Sequence, residues 1–290
     1  MRPVTPPPRL YLLLARRAGV GVIFRRGPSK RTEVIRWDTE GDVFERGHWF
    51  HGRIYERRCD LSPDGELLVY FASKFDRHTT ARDSDTTYAW TAVSRPPWLT
   101  ALALWPKGDC WHGGGLFLGN RHLRLNHRPE AAAPHPRLPP TGLRVEPDPE
   151  AHGEDAPIHA ARLDRDGWVM ERPWEVEWKA ESWRFVTIVS ELRARSHPAL
   201  PFRIVKERWL EGLKHRETFR VDGPGTPIQL PSGRVDWMDW DQRGRLVVLA
   251  DGAVHVAEPT AGGIGELHAL VDFTADRPVA REPAAGVLAW

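Results

Sequence analysis

Several histidine and cysteine side chains that could ligate a metal lie in the first half of the sequence. They are His48 and His51 in GHWFHG, Cys110 and His112 in CWHGGG, and His122 and His127 in RHLRLNH, with Asp109 as a further possible ligand. Zinc accepts nitrogen and sulfur ligands, but a structural zinc site usually carries paired ligands such as C-x2-C, and here each cysteine stands alone. His48 and His51 are three residues apart, a spacing that points them to opposite faces of a strand. We therefore predict ordinary turn and rim histidines, with no metal and no cofactor.

Carboxylates suited to acid–base chemistry are distributed along the whole sequence. They include Asp60, Asp64, Asp164, Asp166, Asp236, Asp239 and Asp241. A glycoside hydrolase needs such groups gathered at a fixed separation, whereas Asp64 and Asp166 lie where turns are predicted and are explained as turn formers. The sequence has no G-x-S-x-G motif, and neither cysteine has a histidine partner motif. We name no catalytic residue, and the sequence favours a protein that is not an enzyme.

Glycine and aromatic residues indicate packing and contact surfaces more than catalysis. Gly113–Gly115 precede an apolar run that is typical of a strand, whereas a phosphate-binding loop needs a following helix. Most of the 14 tryptophans are predicted to fill the core, and exposed ones would anchor an interface. The candidate interface residues are Trp98, Trp105, Trp111, Arg53, Arg57, Arg121 and Arg124.

Three basic segments, 51–58, 121–128 and 202–220, interleave arginine with aromatic and apolar residues. Binding of nucleic-acid phosphates would require the arginines of these segments to share one face. They are Arg53, Arg57, Arg121, Arg124, Arg203 and Arg208. Acidic residues such as Glu56 and Glu207 dilute each segment, which is typical of a solvated face with ion pairs.

The elements that would position these residues are short apolar or alternating runs separated by Gly, Pro and Asp. This pattern predicts an all-β fold. The number of predicted strands is larger than one open sheet usually contains, so we expect several small sheets or a closed arrangement. The predicted strands are 10–15, 19–25, 32–38, 67–72, 88–93, 99–105, 115–118, 168–171, 185–192, 202–209, 217–221, 234–240, 245–250 and 253–258.

An internal repeat joins some of these strands into hairpins. Each copy has an apolar or alternating lead, an acidic turn ending in Gly, and an apolar strand, and Gly suits the turn because it adopts positive φ without strain. The copies are CDLSPDGELLVYFA (59–72), ARLDRDGWVME (161–171) and DWMDWDQRGRLVVLADG (236–252), with weaker ones at 105–117 and 36–47.

The segments SPDGELLVYF and DQRGRLVVLADGAVHVAE resemble the inner hairpins of β-propeller blades of the WD40 or TolB kind. The resemblance covers about a third of the chain and implies about five blades, with functional surfaces on the loops at either face. A two-sheet β-sandwich is the alternative fold.

Composition and net charge limit what we expect of the partners, the domain organisation and the cellular compartment. The 290 residues carry a formal net charge of +2, so no overall field recruits nucleic acid or an anionic membrane. We expect one propeller-like domain over 1–290, with a proline-rich loop or linker at 128–157. The N-terminal apolar patch is interpreted as a first strand, and no stretch is long enough for a spanning helix. Two isolated cysteines indicate a reducing compartment, and we expect a cytoplasmic protein that is not integral to a membrane.

The leading functional hypothesis is a non-catalytic scaffold or accessory subunit that presents its propeller loops to a protein partner. One alternative is a carbohydrate-active propeller hydrolase with tryptophans as sugar platforms. Another is a nucleic-acid-associated accessory protein that uses the arginine-bearing strands. Neither alternative identifies its substrate or its partner.

Overall fold

The structure is a computed structural model, and it describes residues 6–27, 30–74, 88–173, 190–211 and 214–290. Its backbone divides into two compact units. Unit 1 comprises Met1–Arg162 and Phe273–Trp290, and unit 2 comprises Leu163–Asp272. Each unit has a hydrophobic core of its own. The expectation of one domain over 1–290 stays a prediction.

The first sheet of unit 1 is an antiparallel meander of four consecutive strands. They are β1 (Arg9–Leu14), β2 (Val20–Arg26), β3 (Arg31–Asp38) and β4 (Val43–His51). Val22, Phe24 and Val34 alternate along β2 and β3 into a core that also contains Leu68 and Tyr70. The predicted strands 10–15, 19–25 and 32–38 are confirmed. β4 was absent from the predicted strands, because its mixture of charged and half-buried residues lacks an apolar run.

In the second sheet of unit 1, two short strands pair with the same edge of one longer strand. The strands are β5 (Arg53–Ile54), β6 (Asp60–Leu61), β7 (Leu68–Ser73), β8 (Ala89–Ser94) and β9 (Ala103–Lys107). β5 and β6 both pair with β7, and a single 3-10 turn, Glu56–Arg58, lies between them in the chain. The predicted strand 99–105 begins only at Ala103, because the preceding residues are irregular.

The third sheet of unit 1 contains a parallel pair. Its strands are β10 (Gly115–Gly119), β11 (His122–Leu125) and β12 (Arg144–Pro147), and β12 runs parallel to β11 at the edge of the sheet. Another 3-10 turn, Pro129–Ala131, and β12 thus lie within the proline-rich segment 128–157. The edge position suits this segment, because a proline cannot donate to a neighbouring strand.

Unit 2 contains two four-stranded antiparallel sheets and a small hairpin among the described residues. The fourth sheet has β13 (Val169–Arg172), β14 (Ser190–Ser196), β15 (Arg203–Glu211) and β16 (Lys214–Asp222). The fifth has β17 (Val235–Trp240), β18 (Leu246–Ala250), β19 (Ala253–Ala257) and β22 (His268–Asp272), and β20 (Pro259–Thr260) pairs with β21 (Gly263–Ile264). Part of the predicted strand 185–192 lies outside the described residues.

Three of the five repeat copies form hairpins. In the copy at 59–72, β6 pairs with β7, and the Ser62 hydroxyl accepts the N–H of Leu67 at 2.9 Å. Gly65 has φ +75° in this turn, where a side chain would be strained. The copies at 236–252 and 36–47 form the β17–β18 and β3–β4 hairpins.

The other two repeat copies correct the prediction. At 161–171 the lead is the end of helix α1 (Ala156–Arg165), because Ala, Arg and Leu are strong helix formers. At 105–117 the flanking strands β9 and β10 belong to different sheets. A last 3-10 turn, Ala285–Leu288, lies near the C-terminus.

The described residues therefore form five principal sheets of strands that follow one another in the chain. This is the blade arrangement of a five-bladed β-propeller, and the all-β, propeller-type prediction is confirmed, in place of the two large sheets of a sandwich. Among the described residues, no helix is both long and apolar enough to cross a membrane.

Candidate functional site

A cleft lined by basic residues opens in unit 1 where the β2–β3 hairpin meets β5 and the end of β7. Its volume is about 530 Å³, within the range of small-molecule pockets. We call it the basic cleft, and five of its nine lining residues are lysine or arginine. The lining residues are Arg26, Lys30, Arg31, Thr32, His51, Gly52, Arg53, Ser73 and Lys74.

Backbone hydrogen bonds fix the hairpin end that forms one wall of the basic cleft. The N–H of Gly27 donates to the carbonyl of Arg31 at 2.9 Å and closes the hairpin. The N–H of Gly52 donates to the carbonyl of Lys30, also at 2.9 Å, and ties the hairpin to the link between β4 and β5. The basic side chains at 26, 30 and 31 therefore extend from a backbone held at both sides.

The floor of the basic cleft is polar and closely packed. Thr32 and Ser73 are buried, and Ser73 lies directly opposite Arg53 in the β5–β7 pair. At Gly52 a Cβ atom would lie 2.6 Å from the carbonyl oxygen of Ser73 and 2.5 Å from the Phe50 ring. Only glycine therefore fits this position without displacing the floor.

Positive charge exceeds negative charge in the basic cleft. Glu56 contacts both Arg26 and Arg53, with nitrogen–oxygen distances of 3.1 and 3.5 Å. The Arg53 guanidinium also lies 5.2 Å from the centre of the Tyr55 ring. Lys30 and Arg31 form no ion pair in the part of the chain that the structure describes. A single carboxylate thus faces two arginines, and two further cations extend beyond it.

The opposite face of the same hairpin holds a buried, nearly balanced charge network. The Arg25 guanidinium donates to the Phe273 carbonyl and lies 5.1 Å from the centre of the Trp49 ring. The Glu33 carboxylate accepts from Arg46 and from Arg281, each at 3.1 Å. Burial raises the pKa of Glu33 above its ordinary value. Here each buried charge has partners within the protein.

Of the predicted interface tryptophans, Trp111 is the exposed one. Its side chain is 61% exposed, whereas Trp98 and Trp105 are 8% and 1% exposed. We call residues 109–114 the Trp111 loop. Buried Arg58 holds this loop by donating to the carbonyls of Cys110 and His112, both at 2.6 Å. The interface role of the three tryptophans stays a prediction.

The Trp111 loop and the basic cleft share Tyr55 as a common neighbour. The Tyr55 hydroxyl lies 3.5 Å from the sulfur of Cys110 and 3.4 Å from the hydroxyl of Ser73. Arg58, which holds the loop, stacks 4.6 Å from the centre of the Tyr55 ring. An exposed aromatic loop and a cationic cleft therefore lie side by side in unit 1.

Two of the six arginines that the nucleic-acid alternative requires on one face lie on opposite faces of a single strand. Arg203 and Arg208 are five residues apart in β15, whose register with β16 is uninterrupted, so their side chains point to opposite faces. Arg208 also lies 3.9 Å from both Glu191 and Glu217. Because the pairing of β15 with β16 has no bulge, Arg203 and Arg208 cannot contact one ligand on the same face of the sheet.

The four predicted interface arginines of unit 1 occupy different elements. Arg53 lines the basic cleft, and Arg57 lies in the 3-10 turn between β5 and β6. Arg121 lies 6.0 Å from the centre of the Trp290 ring, and Arg124 is exposed on β11. Their contact with a partner stays a prediction.

The carboxylates weighed as catalytic groups have structural partners. Asp60 accepts the N–H of Phe117 at 2.7 Å, and Asp241 pairs with Arg245 at 2.8 Å. Asp239 accepts the indole N–H of Trp168, and burial raises its pKa. Among the described residues, no three His, Cys, Asp or Glu side chains are grouped so that they could hold a metal.

Of the residues that line the basic cleft, Arg53 and His51 were singled out from the sequence, His51 only as a possible metal ligand, and the others were not. The run RRGPSKR at 25–31 is a visible signal, since it brings four basic residues to one hairpin. Lys74 has no such signal, because pairing between strands, not sequence proximity, brings it to the cleft.

Comparison with known proteins gives little further guidance. No protein-family model matches the chain, and no curated protein matches it. Among solved structures, Pyrococcus horikoshii acylaminoacyl peptidase in an orthorhombic crystal form aligns with 91% of this chain. The alignment covers 45% of that protein, with 10% identity and a TM-score of 0.34. The chain therefore spans less than half of that peptidase, and we derive no activity from the likeness.

Proposed function

We propose that this protein is a non-catalytic interaction scaffold and that the basic cleft of unit 1 binds an anionic group of a protein partner. The observation that carries the proposal is the surplus of positive charge around a preformed cavity. Like charges gathered without matching carboxylates repel one another, and a bound anion removes that cost. The cleft therefore gains more from an anionic partner than a balanced surface would.

The neighbouring Trp111 loop supports a protein as the partner. Exposed tryptophans on rigid backbones are frequent anchors of protein interfaces, because a large side chain is buried with little loss of freedom. Arg58 holds the carbonyls on both sides of Trp111 and so limits the motion of the loop. We expect the partner to fill the basic cleft and to cover Trp111 in one contact.

Free thiols support a cytoplasmic location. Cys59 is buried and Cys110 is half-buried, and both are unpaired. Thiols persist in this state in reducing compartments. The expected measurement is cytosolic signal when the tagged protein is localised by microscopy, and secretion into the medium would contradict this location.

The test of the scaffold is co-purification from cells that express the protein, with and without nuclease. We expect a stoichiometric, nuclease-resistant protein partner that is lost with Arg31→Glu. The matched control is Arg137→Glu, because Arg137 is exposed and forms no ion pair in the described chain. A partner that ignores the Arg31 change would contradict the proposal, and a nuclease-sensitive set would support nucleic-acid binding instead.

A further inference from the structure

We infer that the anionic group recognised by the basic cleft is a cluster of at least two phosphates, which deepens the proposed function and rests on it. The cleft brings four basic side chains, Arg26, Lys30, Arg31 and Arg53, around one cavity. The fifth, Lys74, adds to this set but is not needed for the inference. One carboxylate, Glu56, lies against two of the four.

The charge count favours phosphate. Among the described residues, four basic side chains and one carboxylate give the cleft a net surplus of three positive charges. A phosphate monoester carries a charge of about −1.5 to −2 at neutral pH, so two phosphates match this surplus. A single carboxylate carries one negative charge and would leave most of the surplus unmatched.

The donor types favour phosphate as well. Guanidinium groups donate paired N–H groups to phosphate oxygens, and a lysine adds a compact charge, so the cleft combines both modes of phosphate recognition. Thr32 and Ser73 form the floor but are buried, so the basic side chains supply the donors that a phosphate would meet. Among the described residues, no Phe, Tyr or Trp side chain lines the cleft, so His51 is the one ring in its walls on which a nucleic-acid base could stack.

The contacts of the cations limit the arrangement of the phosphates. Arg26 and Arg53 both reach Glu56, one at each of its carboxylate oxygens, and so lie close together. Lys30 and Arg31 follow on the same hairpin, whose backbone is tied to Gly52. Phosphates joined directly, or carried on neighbouring side chains, fit this spacing.

The test is titration calorimetry of the full chain with pyrophosphate and with citrate, at an ionic strength of about 0.15 M. The two ions have similar net charge but present phosphates and carboxylates respectively. We expect pyrophosphate to bind at least tenfold more tightly than citrate, and orthophosphate to bind more weakly than pyrophosphate. Equal binding of citrate would overturn the inference and leave the proposed function standing.

Variants separate the cleft from other surfaces. We expect Arg31→Glu to weaken pyrophosphate binding at least tenfold and Arg137→Glu to leave it unchanged. The double variant Lys30→Gln and Arg31→Gln, which removes charge without reversing it, guards against misfolding of the first, and circular dichroism checks both. Pyrophosphate binding that ignores both changes would overturn the inference.

Phosphatase treatment of the captured partner identifies the source of the phosphates. Loss of the complex assigns them to phosphorylated side chains of the partner. A complex that survives, together with tight pyrophosphate binding, assigns the cleft to a soluble oligophosphate, which keeps the phosphate chemistry and contradicts the proposal that the partner supplies the anion. If co-purification depends on Arg31 while pyrophosphate does not bind, the inference fails and the scaffold stands.

Discussion

Arg25 and Arg26 are consecutive residues of β2, and their side chains lie on opposite faces of the first sheet. Arg25 is buried beside Glu33, in a network where Arg46 and Arg281 share the Glu33 carboxylate and Arg46 also contacts Asp276. Arg26 lies in the basic cleft, where Glu56 is shared with Arg53. One face matches its charges internally, and the other presents a surplus.

The difference separates charge that supports the fold from charge that is available to a ligand. Taking a charge out of water is costly unless a partner compensates it, so the buried face needs its carboxylates. Side chains of the basic cleft keep contact with solvent, and their mutual repulsion is screened by salt. Loss of a buried charge should therefore affect stability, and loss of a cleft charge should affect binding.

The largest expected effect is on the buried face. Glu33→Ala removes the buried carboxylate that accepts from Arg46 and Arg281 and leaves a cavity, and we expect a loss of about 4 kcal/mol in the free energy of unfolding. Urea denaturation measures it. The control Glu45→Ala changes an exposed residue of β4 and should cost less than about 0.5 kcal/mol. A Glu33 variant as stable as the control would remove the distinction between the two faces.

Acidification should weaken the interior of unit 1 through His127. Its Nδ1–H donates to the carbonyl of Ala131, Thr91 donates to its Nε2, and burial lowers its pKa from 6.5 to about 4. Because the unfolded chain binds this proton more readily, the stability present above pH 6.5 is lost as the pH falls to about 4. The expected loss is about 3 kcal/mol.

Comparison with His127→Asn isolates this contribution. We expect the variant to lose about 3 kcal/mol less than the unaltered protein between pH 7 and pH 4, by urea denaturation at each pH. If the free energy of unfolding depended on pH identically in the two proteins, protonation of His127 would not be what destabilises unit 1 in acid.

A smaller effect is expected at the floor of the basic cleft. Gly52→Ala places a Cβ against the Ser73 carbonyl and the Phe50 ring, and we expect a loss of about 2 kcal/mol by urea denaturation. Gly108→Ala is the matched control, because a Cβ there meets no atom within 4 Å. Equal stability of the two variants would indicate that the floor rearranges freely.

The smallest effect on stability is expected from the cleft charges. The double change Lys30→Gln and Arg31→Gln should alter the free energy of unfolding by less than about 0.5 kcal/mol, since neither side chain forms an ion pair in the described chain. Urea denaturation at low and high salt measures it. A loss of 2 kcal/mol or more would place these residues among those that support the fold.

Local signals made most of the sheets predictable from the sequence. Apolar runs marked β1, β2, β7 and β18, and the S-P-D-G turn at 62–65 marked a hairpin with the hydrogen bond that its serine provides. β4 was not predicted from the sequence because many of its residues are half-buried or charged. Helix α1 was not predicted because the acidic segment at its end, which is followed by a glycine, has the same local pattern as a turn.

The site was less predictable, since distant parts of the sequence form it. Arg53 was identified from a basic run, but pairing of β5 with β7 is what brings Ser73 beside it. The charge surplus depends on which carboxylates reach the arginines: Glu33 on β3 reaches Arg46 and Arg281, and Glu56 in the 3-10 turn reaches Arg26 and Arg53. Composition gives the total charge and not its distribution between two faces.

A crystal structure of the complex with pyrophosphate tests the central claim most directly. We predict density for the ion in the basic cleft, within hydrogen-bonding distance of Arg31 and of Arg26 or Arg53, with the Arg25–Glu33 network unchanged. Pyrophosphate bound elsewhere, or a cleft left empty at saturating concentration, would contradict the claim that this surplus of charge serves a ligand.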